Sequence, residues 1–202
     1  MINDVIKVIY SFSDDCTKEV LAITYPNLFN KQNNLVSLAA KFNHLNLLKW
    51  LNNNKYKFTS DVCFYASLND NLEMLRWAKR SDCKWSINIV HNAIRDDNLV
   101  ILKLIHEFGS FPKYNNMCVL AAEYGHLDII IWARSVNYRC NSFVCSTAAE
   151  YGHYHIVKWY VDNVGCKWNP YVYNYALNNG NLEIIGLLEE KGCHHYRNGY
   201  EY

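Results

Sequence analysis

The stretch AAEYGHLDIIIW, from Ala121 to Trp132, decides the fold because the chain repeats it. Near-copies read AAEYGHYHIVKW from Ala148 to Trp159 and AAKFNHLNLLKW from Ala39 to Trp50. Weaker copies begin at three further alanines: Ala66, Ala93 and Ala176. We call these six residues the anchor alanines. Their separations of 27 or 28 residues indicate a repeat protein, in which one small unit is copied along the chain.

A first helix is predicted before each anchor alanine. Apolar residues four and three positions upstream form one face with the anchor; they are Val62 and Cys63, Ile89 and Val90, Met117 and Cys118, Val144 and Cys145, and Val172 and Tyr173. Seven residues upstream lie polar residues whose side chains are expected to cap the helix; they are Thr59, Ser86, Asn141 and Asn169, with Tyr114 or Asn115 in the fourth repeat. Pro170 suits a first helical position.

A turn and a second helix are predicted after each anchor. Four residues downstream stand types that tolerate turn conformations; they are Asn43, Asp70, Asp97, Gly125, Gly152 and Gly180. The second helix is expected to open at Leu45, Leu72, Leu99, Leu127, Tyr154 and Leu182. Large side chains near its end are expected to be buried against neighbouring repeats; they are Trp50, Trp77, Leu104, Trp132, Trp159 and Leu187.

The segments AAEYGHLDII and AAEYGHYHIV resemble the central signature of ankyrin repeats, in which Ala-Ala ends the inner helix and Gly-His opens the outer one. The resemblance covers residues 33–193 and implies an all-α solenoid of six stacked helix-turn-helix repeats. The usual Thr-Pro-Leu-His opening is absent, and the period is about five residues shorter than usual. The β-hairpin fingers of the family are therefore expected to be lost or reduced. Lys-Trp and Gly-Cys-Lys-Trp motifs look like those of giant-virus ankyrin proteins.

The resemblance implies a non-catalytic module that binds a partner protein, a host protein if the chain is viral. In ankyrin-like stacks the inner helices line a concave groove, where varied aromatic and charged residues are expected to contact the partner. The candidates are Phe64, Tyr65, Arg95, Glu123, Tyr124, Phe143, Glu150, Tyr151, Tyr171 and Tyr175. A second interpretation is that several of these rings fill gaps between repeats.

Residues 1–32 precede the repeats, and their simplest interpretation is a helical cap on the first repeat. An alternative is a divergent F-box, because the apolar spacing of INDVIKVIYSF and the following residues resembles that motif. The protein would then be a substrate receptor of a cullin-type ubiquitin ligase. Ile2 and Asn3 stand where the F-box has Leu-Pro. Residues 194–202 form a short polar tail.

The composition argues against several function classes. A formal net charge of +1 gives no overall attraction to nucleic acid or anionic membranes, and no stretch is long and apolar enough to span a bilayer. Because no signal peptide is recognisable, we expect an intracellular protein, cytoplasmic or nuclear. We also expect it to be a monomer. Gly-rich phosphate loops, nucleophile elbows and paired carboxylates are absent from the sequence, so neither an enzyme nor a cofactor is predicted.

The cysteines and histidines share repeat positions with residues that cannot bind metal. Cys63, Cys118 and Cys145 occupy the position of Val36 and Val90, so reduced core thiols are expected; Cys83 and Cys166 share a position with tyrosines. His44, His126 and His153 alternate with asparagines, which favours hydrogen bonds to a neighbouring backbone. The pairs His153 and His155, and His194 and His195, offer two ligands each, too few for a predicted metal site.

Overall fold

The computed structural model describes residues 32–109, 116–164 and 171–192. Within these ranges the chain forms 12 α-helices and no strand, so the all-α prediction is confirmed. The predicted N-terminal cap or F-box, the polar tail, Cys166, Asn169, Pro170, Tyr114 and Asn115 lie outside the described residues. The chain divides into two compact units, Met1–Ile89 and Val90–Tyr202.

The helices alternate between first and second members of a pair. The first helices are α1 Gln32–Lys41, α3 Ser60–Leu68, α5 Ile87–Arg95, α7 Met117–Tyr124, α9 Phe143–Glu150 and α11 Tyr171–Asn178. The second helices are α2 Leu45–Asn53, α4 Leu72–Arg80, α6 Leu99–Glu107, α8 Leu127–Ser135, α10 Tyr154–Val164 and α12 Leu182–Glu190. Every second helix begins at the residue that the sequence predicts.

Helix packing follows the repeat within each compact unit. In the first unit α1 packs against α3, and each packs against its own second helix, α2 or α4. In the second unit α9 lies between α7 and α11, and these three helices pack against α8, α10 and α12 respectively. The second helices α10 and α12 also pack together. First helices therefore lie side by side in both units.

The predicted first-helix faces form the core. All six anchor alanines are buried, as are Val62, Ile89, Met117, Val144 and Val172 with the cysteines and Val90 beside them. Because alanine is small, neighbouring helices approach closely at the anchors. The last repeat departs from this pattern, since Tyr173 is half-buried and Leu177 is 47% exposed.

The predicted capping bonds of Thr59 and Ser86 are wrong. Each residue directly precedes a first helix, but its hydroxyl is buried without a hydrogen-bond partner. The backbone carbonyls of Thr59 and Ser86 instead accept from the amides of Val62 and Ile89, at 3.3 and 3.2 Å. The first turn is therefore stabilised by main-chain bonds at these positions.

Asn141 does accept a hydrogen bond, from the amide of Phe143 at 3.1 Å. The helix that follows begins at Phe143, one residue later than an Asn141 cap implies. α7 begins at Met117, after Asn116, later than the predicted cap positions imply. The first helix therefore begins closer to its anchor in these two repeats than in the repeats anchored at Ala66 and Ala93.

The predicted turns are confirmed in all six repeats. The residue four positions after each anchor has a positive φ, between 51° at Asp70 and 83° at Gly125. The amide of the next residue donates to the carbonyl of the anchor alanine in every repeat, at 2.7 to 3.0 Å. This pairing of a left-handed residue with a bond back across the last turn is a helix-terminating motif that glycine, asparagine and aspartate favour.

A second set of left-handed residues ends the second helices. These are Lys55, Asp82, Gly109, Asn137 and Gly192, and the sequence did not predict them. The residue after each of Lys55, Asp82 and Asn137 donates its amide back to the second helix, at 2.8 to 3.1 Å. Both turns of a repeat are therefore tight, which explains how a helix pair fits into a short period without a strand in the described connections.

The second helices bury less than the sequence predicts. Leu104 and Leu187 are buried, but Trp50, Trp77, Trp132 and Trp159 are half-buried. Leu182, the first residue of α12, is 78% exposed. The tryptophan rings instead contact nearby side chains at the surface. The Arg134 guanidinium, for example, lies over the ring of Trp159 at 6.0 Å.

Side chains of one repeat bind the helix end of the repeat before it. His126 Nε2 donates to the carbonyl of Arg95 at 3.1 Å, and His153 Nε2 donates to that of Glu123 at 2.9 Å. Asn69 does the same to Lys41 at 3.3 Å, and Asn179 to Glu150. In these four bonds the acceptor is the residue two positions after the anchor, and Asn69 also donates to the carbonyl of Ala40 at 3.1 Å. The predicted role of His126 and His153 is confirmed.

One part of the cysteine prediction is wrong. Cys118 forms a disulfide with Cys140, whose Cα lies 5.4 Å away, whereas a reduced thiol was expected. Cys140 shares its repeat position with Phe58, Trp85 and Trp168, and it reaches Cys118 because the connection before α9 passes beside α7. Cys63, Cys83 and Cys145 are buried thiols outside a disulfide, as predicted. Cys83 Sγ donates to the carbonyl of Thr59 at 3.1 Å.

Gly125 and Gly180 provide a matched test of how repeats are joined. Both have positive φ, but a Cβ on Gly125 would lie 2.8 Å from the His153 ring, whereas a Cβ on Gly180 meets no atom within 4 Å. We expect Gly180→Ala to lower the free energy of unfolding by about 1 kcal/mol. Gly125→Ala should cost roughly 1 kcal/mol more, because the bond from His153 to Glu123 is also displaced. Equal costs in urea denaturation would contradict this account.

The disulfide is expected to stabilise the fold by lowering the conformational entropy of the unfolded chain. For a loop of 22 residues, reduction should lower the free energy of unfolding by about 3 kcal/mol. Chemical denaturation with and without dithiothreitol measures the difference. A Cys118→Ala/Cys140→Ala variant is the control and should not respond to the reductant. A non-reducing peptide map without a Cys118–Cys140 cross-link would refute the assignment.

Candidate functional site

The exposed side of the first helices carries one stripe of residues. Its positions lie five and one before the anchor and two and three after it, spacings that place side chains on one helix face. We call the members in the second compact unit the exposed stripe. It contains the eight predicted site residues of that unit: Arg95, Glu123, Tyr124, Phe143, Glu150, Tyr151, Tyr171 and Tyr175. Phe64 and Tyr65 belong to the first unit.

Phe64 and Tyr65 contact each other. Both are half-buried on α3, and their ring centroids lie 5.4 Å apart with the planes at 67°. Edge-on contacts of this kind contribute to packing. The contact covers part of each ring within α3.

Four rings of the exposed stripe are open to solvent. Tyr124 is 36% exposed, Tyr151 53%, Phe143 56% and Tyr171 58%. Tyr175 is half-buried and lies beside Tyr171, with ring centroids 6.4 Å apart. More than half of Tyr151, Phe143 and Tyr171 is open to solvent, whereas most of Tyr124 is covered. They lie on α7, α9 and α11, which pack in that order.

Arg95 is exposed but already paired. Its guanidinium donates two hydrogen bonds to the carboxylate of Asp96, at 2.8 and 3.0 Å. The ring of His126 stacks on Tyr124 with centroids 6.2 Å apart, and His126 Nδ1 lies 3.6 Å from the Asp97 carboxylate. This end of the exposed stripe is thus a local network of opposite charges and stacked rings.

Glu123, Glu150 and Tyr151 form the acidic part of the stripe. The negative charge of Glu123 raises the pKa of the Tyr151 phenol above its ordinary value, with smaller contributions from burial and from Glu150. A carboxylate has this effect because it disfavours a second negative charge close by. Residues of neighbouring repeats therefore share one electrostatic environment.

Two contributors were missing from the sequence prediction. Asp96 neutralises Arg95, and His126 covers one face of Tyr124. The sequence carried a signal for both contacts. Asp96 directly follows Arg95, and His126 stands two residues after Tyr124.

Other kinds of site receive no support from the described residues. Among them, no group of three histidines, cysteines or acidic residues is arranged to hold a metal ion. The helices found in these ranges include none with the length and apolar character needed to cross a membrane. Neither a protein-family model nor a curated protein sequence matches the chain.

The acidic environment of Tyr151 can be measured directly. Replacing Glu123 by glutamine removes the largest contribution, so the pKa of Tyr151 should move down towards its ordinary value of 10.0. Titration of the tyrosine ζ-carbon signals by NMR, with Tyr151→Phe for assignment, gives the shift. Glu183→Gln on α12 is the control and should leave the pKa of Tyr151 unchanged. An unchanged pKa in Glu123→Gln would contradict the proximity of the two groups.

Proposed function

We propose that the chain is an ankyrin-like repeat protein that binds a partner protein through the exposed stripe. The observation that carries this proposal is the set of four solvent-exposed aromatic rings on the adjacent helices α7, α9 and α11. Exposed aromatic residues at neighbouring positions are typical of protein interfaces and are uncommon without that role.

The repeat architecture supports this interpretation. Six helix pairs share left-handed turns four residues after the anchor, and first helices pack beside first helices within each unit. These features agree with the ankyrin resemblance of AAEYGHLDII and AAEYGHYHIV. In such repeats the first helices present their varied positions to a partner. If the resemblance to giant-virus proteins reflects common origin, the partner is a host protein.

The energetics favour a few strong contacts. Tyrosine and phenylalanine bury large areas at low conformational cost, and a small number of such residues provides most of an interface's affinity. The exposed rings stand on or directly beside helices whose opposite faces are buried, so the backbone is ordered before binding. The proposal needs neither a catalytic group nor a cofactor.

Replacing Tyr124 and Tyr151 together by alanine should remove two anchors. We expect the amount of protein captured from a eukaryotic cell extract to fall by about tenfold, since each anchor contributes on the order of 1 kcal/mol or more. Quantitative mass spectrometry of the captured proteins is the measurement, and circular dichroism checks that the helical content is unchanged.

The control removes exposed apolar side chains from second helices of the same unit. Val100 is 58% exposed and Leu182 is 78% exposed, so Val100→Ala/Leu182→Ala changes a comparable surface away from the stripe. This control should capture the same proteins as the wild-type chain. A tyrosine variant that captures as much as the control would exclude the exposed stripe as the interface.

A further inference from the structure

Helices α7 and α9 end in the same two residue types, a glutamate followed by a tyrosine. Glu123 and Tyr124 are the last residues of α7. Glu150 ends α9, and Tyr151 follows it as the cap. We call these four residues the acidic aromatic patch. Because α7 and α9 pack side by side and the four residues occupy equivalent repeat positions, the patch is one continuous surface.

The two carboxylates of the patch have no cationic partner among the described residues. Some other carboxylates of the described chain do approach a basic group, as for Glu73 with Lys49 at 3.3 Å and Asp162 with Lys158 at 3.5 Å. The patch therefore concentrates negative charge on a chain that is nearly neutral as a whole.

The neighbouring repeat carries the opposite charge at this edge. Arg95 ends α5 and Asp96 follows it, and their guanidinium and carboxylate are joined by two hydrogen bonds. One repeat later Glu123 occupies the position of Arg95, and no cation among the described residues compensates its charge. A guanidinium from outside would supply that charge between α7 and α9.

The remaining groups around the patch do not supply that charge. The carbonyls of Glu123 and Glu150 are bonded to His153 and Asn179, so only the carboxylates and rings are left for a ligand. His126 stacks on Tyr124 and lies beside Asp97. The C-terminal ends of α7 and α9 carry a partial negative charge, which adds to the attraction for a cation.

We propose that the acidic aromatic patch binds the guanidinium group of an arginine in a basic segment of the partner protein. A guanidinium is planar, so it stacks on an exposed tyrosine ring and presents paired N–H donors to a carboxylate at the same time. An ammonium group offers the charge without the flat face. The inference rests on the proposed function, because a partner must supply the arginine.

The test uses a defined probe instead of an unknown partner. A short fluorescein-labelled peptide of alternating arginine and glycine is titrated with the full chain at low ionic strength, where surface charges are least screened. Peptides with lysine or glutamine at the arginine positions are titrated in parallel. The arginine peptide should bind at least about fivefold more tightly than either of them, the gain expected from one or two charge-assisted hydrogen bonds.

Two variants with the same net charge separate the patch from general attraction. Glu123→Gln/Glu150→Gln should weaken binding of the arginine peptide by about fivefold or more. Glu183→Gln/Glu190→Gln removes two exposed carboxylates from α12 and should leave it nearly unchanged. Equal weakening by both variants would overturn the proposal, as would equal binding of the arginine and lysine peptides or of the arginine and glutamine peptides.

These outcomes are distinct from failure of the proposed function. Protein capture that depends on Tyr124 and Tyr151, together with peptide binding that ignores Glu123 and Glu150, would keep the interface and reject the guanidinium. Loss of tyrosine dependence in the capture experiment would reject the interface whatever the peptide result. Melting temperatures of both glutamine variants should match the wild-type value, because the replaced side chains are exposed or half-exposed.

Discussion

The backbone bond from the residue after each left-handed turn to the anchor carbonyl holds every helix pair in shape. It closes the first helix at the same place in six repeats, at 2.7 to 3.0 Å, and it is possible only because the intervening residue has a positive φ. The side chain after the turn is thereby placed at the start of the second helix. In three of the repeats that residue is a histidine, and in the others it is an asparagine.

This placement connects neighbouring repeats. His126 and His153 bind the free carbonyl at the end of the preceding first helix, and Asn71 bonds to Asn43 at 2.7 Å. Helix ends leave carbonyls without intrahelical partners, so in these contacts one repeat satisfies a group that its neighbour cannot. Gly125 is also shaped by this contact, since the His153 ring occupies the space that a side chain would need. The turn and the stacking of repeats are consequently one constraint.

Features governed by this constraint could be predicted from the sequence, and features outside it could not. The turn at Gly125, the helix start at Leu127 and the buried face around Ala121 recur in register, so comparing repeats identifies them. The prediction of capping bonds from the Thr59 and Ser86 side chains was wrong because the backbone carbonyls of these residues accept from the first turn, while their hydroxyls are buried. The Cys118–Cys140 disulfide was missed because the position of Cys140 holds Phe58, Trp85 and Trp168 in other repeats, and these cannot form a disulfide.

The net charge of the whole chain conceals how charge is distributed along the exposed stripe. A net charge of +1 describes the chain as evenly balanced, yet Arg95 is neutralised by Asp96 while Glu123 and Glu150 have no described cation. Core positions admit only small or apolar residues, but the stripe positions two and three after the anchor are free to change from repeat to repeat. Glu123 stands in one repeat at the position that Arg95 occupies in the repeat before it. The local charge is therefore reversed between these repeats while the fold stays the same. Repetition fixes the backbone at these positions, and this freedom lets neighbouring repeats differ in what they bind.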